Sequence, residues 1–547
     1  MDKNCRITGT QFKVTEQDKK FYEKMGVPTP TLSPDERQLR RMSWRNERNL
    51  HHRKCDLCSK QIISIYPALT PYTVYCHECW WSDKWDAMNF GRDFDFNRSF
   101  FEQMNELIIS VPRLALFQRN NQNCEYTNYT ENNRDCYLCI DSARSQNIYY
   151  SKWMINDQDC SDSYNVEDSQ LCYEDLYQVG GYMNIFNFFS DFSTESAFLY
   201  GSTNCKNCFM CFNQHRKEYM IRNKQVSKEE YENFMQSIDL GSYKQLESFK
   251  KEYIEMIDKA PKRTLQIMSE DSVGDCMFKC KNVTESFDLI QSRDCRYCYE
   301  SGHLTDCFDV YESAFDCERQ YECHGCNRGK FLRFCNSSHD LSESDYADHC
   351  HNSSNLFASS GLRRKQYCIL NKQYTKEEYE QVSQRIIEHM KSTKEWGEFF
   401  PSWMSPFAYN ESIAIEYYLL DKTSALARGY KWRDEDNASG YQGQIHQLPD
   451  NIKDAPEDIG KKILKCEVSG KLYKIIPQEF ALLKKLGIAL PRRSPQQRYK
   501  DRLQLVNHRR LWDWQCKDCK KKMRAPYLPE SGQNVYCQDC FLKLKYD

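Results

Sequence analysis

The two ends of this chain are copies of each other. Placing Cys5 over Cys466 and holding an offset of 461 brings Gly9 onto Gly470, Gly26 onto Gly487 and Ser33-Pro34 onto Ser494-Pro495. The same offset carries Asn46 onto Asn507, and Cys55, Cys58, Cys76 and Cys79 onto Cys516, Cys519, Cys537 and Cys540, with no gap over 75 residues. Chance does not preserve such a register, so the chain holds an internal duplication and must fold one kind of module twice.

Each copy carries Cys-x2-Cys-x17-Cys-x2-Cys, as KCDLC…YCHEC and QCKDC…YCQDC. Zinc takes four thiolates in a tetrahedron, and a two-residue gap lets one tight turn present two of them. Two such turns brought together by a hairpin would close the shell and leave no position for water. The segments QIISIYPALTPYTVY and KMRAPYLPESGQNVY would be short strands around a Pro-containing turn. The expectation is two zinc ions per chain, both structural.

Upstream of each four-cysteine set lies a second module, CRITGTQFKVTEQDKKFYEKMGVPTPTLSPDERQLRR and CEVSGKLYKIIPQEFALLKKLGIALPRRSPQQRYKDR. It resembles the family of probable zinc-ribbon domains, which are treble-clef-like. That family's pattern runs Cys-x-x-Cys-Gly, an aromatic residue, an acidic helix, then Pro-x-x-Cys-Pro-x-Cys-Arg. Thr8, Ser33 and Glu36 stand at three ligand positions of the first copy, and Ser469, Ser494 and Gln497 at those of the second. Only Cys5 and Cys466 remain, so these modules are expected to keep the fold without zinc. The whole chain is similar to uncharacterised zinc-ribbon proteins of small-genome uncultured bacteria, a resemblance that implies no activity.

The middle steps in twelves. From Asn123 the units run NCEYTNYTENNR, DCYLCIDSARSQ, NIYYSKWMINDQ and onward; a second block starts at Asn282 and slips by one residue after Asp306. Asn or Asp opening a unit, then Cys and aromatics, points to a β-solenoid with one strand and turn per unit. Asn and Asp tolerate left-handed turns. Small thiols suit the inward positions, the reading preferred for Cys124, Cys136, Cys160, Cys172, Cys295 and Cys307. A metal or redox site at Cys205, Cys208 and Cys211, or at Cys323 and Cys326, is the sharper alternative. Repetition explains the triplet with fewer assumptions. Helical caps are expected after each block: Ser227 with Glu230, and Thr375 with Glu378, form capping boxes, and Val382, Ile386 and Met390 mark a buried face.

Charge is segregated. Residues 36–54 carry a net +5 and residues 492–510 a net +6, while both repeat blocks are acidic. Arg37, Arg40, Arg41, Arg45 and Arg48, with Arg498, Lys500, Arg502, Arg509 and Arg510, form basic stripes beside Trp44, His51, His52, Trp512 and Trp514. Arginine binds phosphate by bidentate bonds and aromatics stack on unpaired bases, so these stripes are candidates for contact with RNA or a ribonucleoprotein. The competing readings are a solvated helix face and a face that docks on protein, the chain's own acidic repeats included.

The chain has 29 cysteines in 547 residues, too long for a secreted disulfide scaffold, and MDKNCRITGTQFKVTEQDKK has no apolar signal core. With no run of eighteen apolar residues, a cytoplasmic chain with reduced thiols and no membrane span is expected. No Walker loop, GxGxxG, GxSxG or His-Glu-x-x-His occurs, so no enzyme is expected. The cluster Asp348-His349-Cys350-His351 reads as exposed polar surface, with a zinc or catalytic Cys–His site as the sharper alternative. The acid pairs Asp159 with Asp162 and Asp306 with Asp309 read as turn chemistry, with a solenoid enzyme held in reserve.

The reading is therefore a mixed α+β multidomain chain. It runs 1–82 degenerate plus intact zinc ribbon, 83–122 linker or helix, 123–218 and 269–370 solenoid blocks, 219–268 helical insert, 371–460 helical cap and linker, and 461–547 the second pair of ribbons. The expected function is a non-enzymatic zinc protein touching RNA through basic ends held apart by the solenoid. The alternatives are a protein-interaction scaffold and a metal-dependent or redox enzyme.

Overall fold

The computed structural model describes residues 1–302, 311–314, 319, 321–327, 333, 334, 336, 339–434 and 441–546. Cys307, Asp306 and Asp309, singled out above, lie outside them. The fold is mixed α/β, with four-cysteine sites near both ends.

The duplication is visible element by element. The hairpin Asp2–Asn4 with Gln11–Lys13 leads into α1 (Glu16–Met25) and α2 (Pro34–Met42). Thr15 and Asp18 cap α1 reciprocally, Gly26 ends it at φ 67°, and Ser33 caps α2. A left-handed residue closes a helix at least cost when it lacks Cβ, which is why glycine recurs at Gly487. A second hairpin, His51–Lys54 with Gln61–Ser64, precedes α3 (His77–Trp80) and the buried α4 (Phe100–Ser110). Further on come α5 (Lys228–Ser237), α6 (Tyr243–Lys259), α7 (Lys376–Ser392), α8 (Ala414–Tyr417) and α9 (Lys422–Ala427). The C-terminal copy has Leu464–Lys465 with Leu472–Tyr473, α10 (Pro477–Leu486), α11 (Pro495–Leu503), Trp512–Gln515 with Lys522–Ala525, and α12 (Gln538–Tyr546).

Between the copies lie two sets of short parallel strands whose register equals the sequence repeat. In the first, Asn128 pairs with Ile140, Ile140 with Lys152, Lys152 with Tyr164 and Tyr164 with Leu176, twelve residues at each step. The second steps likewise through Phe287, Tyr299 and Tyr311. It takes one step of thirteen at Ser313–Cys326, where the sequence slips. One step of eleven, Val273 to Thr284, ends in a bulge at Gly274, where a Cβ would stand 2.1 Å from the Ser286 carbonyl oxygen.

A finer period underlies the twelve. From Asn120 to Arg222 every third residue has positive φ, Tyr126, Leu138, Trp153 and Phe198 included. No Val, Ile or Thr occupies any of these positions, as expected where a branched Cβ clashes in left-handed backbone. The residue after each corner is most often small, and its side chain serves the backbone. Asn133 accepts from the Ser145 amide at 2.9 Å and donates to the Ser142 carbonyl at 3.0 Å, and Ser163 Oγ accepts from Asp175 N at 3.3 Å. Cys136, Cys160, Cys172, Cys205, Cys208 and Cys211 share this phase, are buried, and direct thiols at backbone carbonyls. Cys295 is buried in the second block, whereas Cys124 is half-buried. At the corners, Asn123 donates to Asp135 and Asn147 to Asp159, twelve residues on. Rings twelve apart also stack, as Phe186 on Phe198 and Tyr177 on Phe189.

The expected capping boxes at Ser227 and Thr375 form, α5 packs on strand Glu218–Ile221 and α7 on Gln366–Ile369. Ile386 and Met390 are fully buried and Val382 half-buried. Residues 395–413 pack irregularly through Trp396, Phe399, Phe400, Met404 and Phe407 into the largest apolar cluster, which α4 also enters.

Candidate metal centres and the arginine stripes

The knuckle that carries the first cysteine is the same in all four end modules. After the first cysteine the chain bends back at a residue of positive φ, and that residue's amide donates to the cysteine carbonyl. The bonds are Gly9 to Cys5, Ser59 to Cys55, Gly470 to Cys466 and Lys520 to Cys516, at 2.8–3.1 Å. The second pair does not sit on a hairpin turn, as the spacing had suggested. Cys76 precedes α3 and Cys79 lies within it; Cys537 and Cys540 stand likewise at the start of α12. The strands between the pairs do not pair with one another. Gln61–Ser64 returns on His51–Lys54, and Val74–Tyr75 runs parallel to Arg113–Leu114. Knuckle, hairpin and helix start together bring the sulfurs together.

In each set the four Sγ atoms lie within 4.8 Å of one another, with Cys58 to Cys76 at 3.9 Å and Cys519 to Cys537 at 3.7 Å. A zinc–sulfur bond of about 2.3 Å gives a tetrahedron with edges near 3.8 Å. Burial pushes the Cys516 thiol up, but amide bonds from Cys537, Cys519 and Asp518 outweigh it and hold the thiol at about 6. Burial and the neighbouring sulfurs push Cys540 well up, so a full set of thiolates calls for a cation. The donor sets fit two zinc ions, with all four positions filled by sulfur.

In the degenerate modules, hydrogen bonds take over the local geometry. Burial raises the Cys466 thiol, yet bonds from the Ser469 side chain and amide and from the Ser494 amide win and bring it to about 7. Ser33 and Ser494, at positions where the resembled family has cysteine, cap α2 and α11 through the Glu36 and Gln497 amides.

The arginine stripes correct a sequence expectation. Arg37, Arg40, Arg41, Arg45, Arg498, Arg502 and Arg509 are buried, Arg48 is half-buried, and Lys500 and Arg510 are exposed. The buried guanidinium groups face the acidic repeats. Arg40 and Arg41 reach Glu322 at 3.2 and 3.6 Å, and Arg45 pairs with Asp141. Arg498 and Arg502 share Asp162, with Arg502 to Asp162 at 2.8 Å, and Arg498 also meets Glu479 at 2.8 Å. Arg509 pairs with Asp288 at 2.9 Å and with Glu300. Arg37 lies over Tyr297 and Arg48 over Tyr499. A helix stripe of arginine looks the same in sequence whether its counter-charge is phosphate or a carboxylate of the same chain. Here the carboxylate has it, so the segregation of charge along the sequence is the complementarity of two docked surfaces. The ends are not held apart; they lie on the repeats.

Other singled-out residues move inward too. Trp44 is buried and His51 faces Glu411 at 3.2 Å, whereas His52 stays exposed and Trp512 and Trp514 are half-buried. The Asp348–His351 cluster is not exposed: Asp348 and Cys350 are fully buried, and His351 lies under Trp80 and Trp81.

Two interior groupings escaped the sequence reading. Lys152 and Arg45 bracket Glu47 at 2.6 and 2.7 Å, and together they overcome burial to hold its carboxyl at about 2. Arg113 pairs with Asp348 at 2.9 Å and donates to Tyr66 Oη at 2.8 Å. The three-residue period turns Cys350, which follows the corner at His349, inward; Asp348 precedes that corner and is buried by Arg113, a partner 235 residues away that leaves no mark on the local spacing.

Residues 509–545 match the model of a family described as "Probable treble clef zinc finger". The knuckle, hairpin and α12 of this segment have the form that description implies. No curated protein matches the chain. Among the described residues no helix is long and apolar enough to cross a membrane.

Proposed function

We propose that this is a non-enzymatic structural zinc protein whose end modules, 1–82 and 461–547, clamp two β-solenoid blocks and offer a contact surface to RNA or a ribonucleoprotein. The observation that carries the structural role is the pairing of closed four-sulfur shells with arginine helices bound to repeat carboxylates. The solenoid reading is supported by the twelve-residue register, which the second block breaks by one step of eleven and one of thirteen, and by the left-handed corner at every third residue from Asn120 to Arg222, four corners to a coil. The non-enzymatic reading is supported by the engagement of the one acid pair held in reserve that lies among the described residues. Asp162 is taken by Arg498 and Arg502, and Asp159 by Asn147.

Elemental analysis of the purified chain should give two zinc ions and no iron, without visible absorbance. The absorbance ratio at 260 and 280 nm should reveal copurifying nucleic acid that salt removes. A third metal with visible absorbance would favour an enzyme. Defined protein partners that survive nuclease would favour a scaffold.

A further inference from the structure

With seven arginines of the expected interface buried, a nucleic-acid contact has to be sought elsewhere, and the two zinc knuckles differ in the required way. Residues 517–522 read Lys-Asp-Cys-Lys-Lys-Lys, where the N-terminal copy reads Asp-Leu-Cys-Ser-Lys-Gln. Lys517, Lys520, Lys521 and Lys522 are all exposed. Among the described residues none of them pairs with a carboxylate; Lys517 meets Asn534, and Lys520 the Lys517 carbonyl. In the N-terminal knuckle, Lys60 is the one cation at these positions, and it faces Glu78 at 3.8 Å.

We infer that this lysine face of the C-terminal zinc module is a binding surface for the phosphate backbone of single-stranded RNA. The inference rests on the RNA reading above and moves its contact from the arginine stripes to the knuckle. Three features favour a polyanion over a protein. Three of the four ammonium groups stand on a short loop whose backbone the zinc site fixes and the fourth, on Lys522, opens the paired strand that follows, so their mean positions are set while their stems stay adaptable. Asp518 is the single acid between them. No large apolar side chain is exposed from Cys516 to Arg524, whereas a protein interface is depleted in lysine and needs an apolar centre. Phosphate contacts by point charges read no sequence, so binding should be tolerant of base identity.

The test uses the full zinc-loaded chain and a fluorescein-labelled oligouridine RNA, followed by anisotropy at several salt concentrations. Lys517→Gln, Lys521→Gln and Lys522→Gln are combined in one variant; Lys520 is kept because it holds left-handed backbone at φ 63°. A control combines Lys54→Gln with Lys60→Gln in the other module. Zinc content and circular dichroism establish that both variants are folded. Each single-strand phosphate contact contributes about 0.7 to the slope of log affinity against log salt, so losing three should lower the slope by about 2 and weaken binding about a hundredfold at 0.1 M salt. The control should stay within about twofold. Wild-type binding that the knuckle variant leaves unchanged would overturn the assignment of this face while leaving the RNA reading standing. Absence of wild-type binding would remove the RNA reading itself. Polyglutamate bound as tightly as RNA at the same salt would overturn the choice of nucleic acid.

Discussion

The two zinc modules descend from one sequence yet are joined to the repeats in different ways. In the N-terminal module, Val74 runs parallel to Arg113, whose guanidinium is held by Asp348 and by Tyr66. In the C-terminal module, Val535 bridges in the same sense to Lys262, which meets the Tyr200 hydroxyl at 3.3 Å and lies over that ring. One junction is a buried ion pair; the other is a buried lysine with an aromatic partner. Apolar packing differs in the same direction. Tyr66, Tyr72, Val74 and Trp80 belong to the largest core cluster, while Ala525, Tyr527 and Val535 form a small cluster of their own. A duplicated module can thus become part of the largest apolar cluster at one end and keep a small cluster of its own at the other, where Arg524 ties it to Glu285 of the second repeat block.

The largest test of that contrast removes one zinc ligand from each copy. Cys76→Ser should lower stability by several kcal/mol and expose the central core to protease, because zinc binding energy is folding energy. Cys537→Ser should lose its zinc ion as well, but cleavage should be confined to residues beyond about 509. Zinc content and limited proteolysis with mass spectrometry measure both; equal, global proteolysis would erase the distinction.

A smaller effect separates the junctions. Arg113→Met leaves Asp348 buried without its cation and should cost about 3–5 kcal/mol. Lys262→Met leaves no acid behind. Burial brings the Lys262 ammonium down to about 8, below its unfolded value of 10.5. Between those values the unfolded chain binds more protons than the native one, so this lysine makes stability rise with pH from about 8 to about 10.5. Lys262→Met should abolish that rise and leave stability at pH 7 unchanged or improved. Urea unfolding at pH 7 and pH 10 decides it.

The smallest effect lies inside the first repeat block, where Asn133 and Asp157 occupy equivalent positions two twelve-residue units apart. Asn133 uses both ends of its amide, whereas Asp157 accepts from Ser169 N at 2.8 Å and its other oxygen has no partner. Burial pushes the Asp157 carboxyl up to about 8. The native chain then binds more protons than the unfolded one between about pH 4 and pH 8, so this residue lowers stability across that window as pH rises. Asp157→Asn should therefore stabilise by on the order of 1 kcal/mol at pH 8 and little at pH 4. Chemical unfolding at the two pH values is the measurement.

Much of this was legible in the residues. The zinc ligands, the knuckles and the capping boxes are local, and local spacing specifies them. The twelve-residue step was legible because the strands pair at the same interval. The three-residue corner was not seen, since its signal is the exclusion of branched residues rather than the recurrence of one type. The place of the second cysteine pair was missed because a hairpin turn and a helix start both accommodate Cys-x2-Cys.

The sequence by itself determined the duplication, the eight sulfurs and the sign of each charged stretch, because each depends on residues close together in the chain. Only the tertiary structure decided which charges meet. Arg498 and Asp162 stand 336 residues apart, and a long-range Coulomb partner leaves no trace in the spacing of either. The lysines of the last knuckle have the same sign as the arginines of α11. What distinguishes them is that folding covers the arginines with carboxylates and leaves the lysines in water.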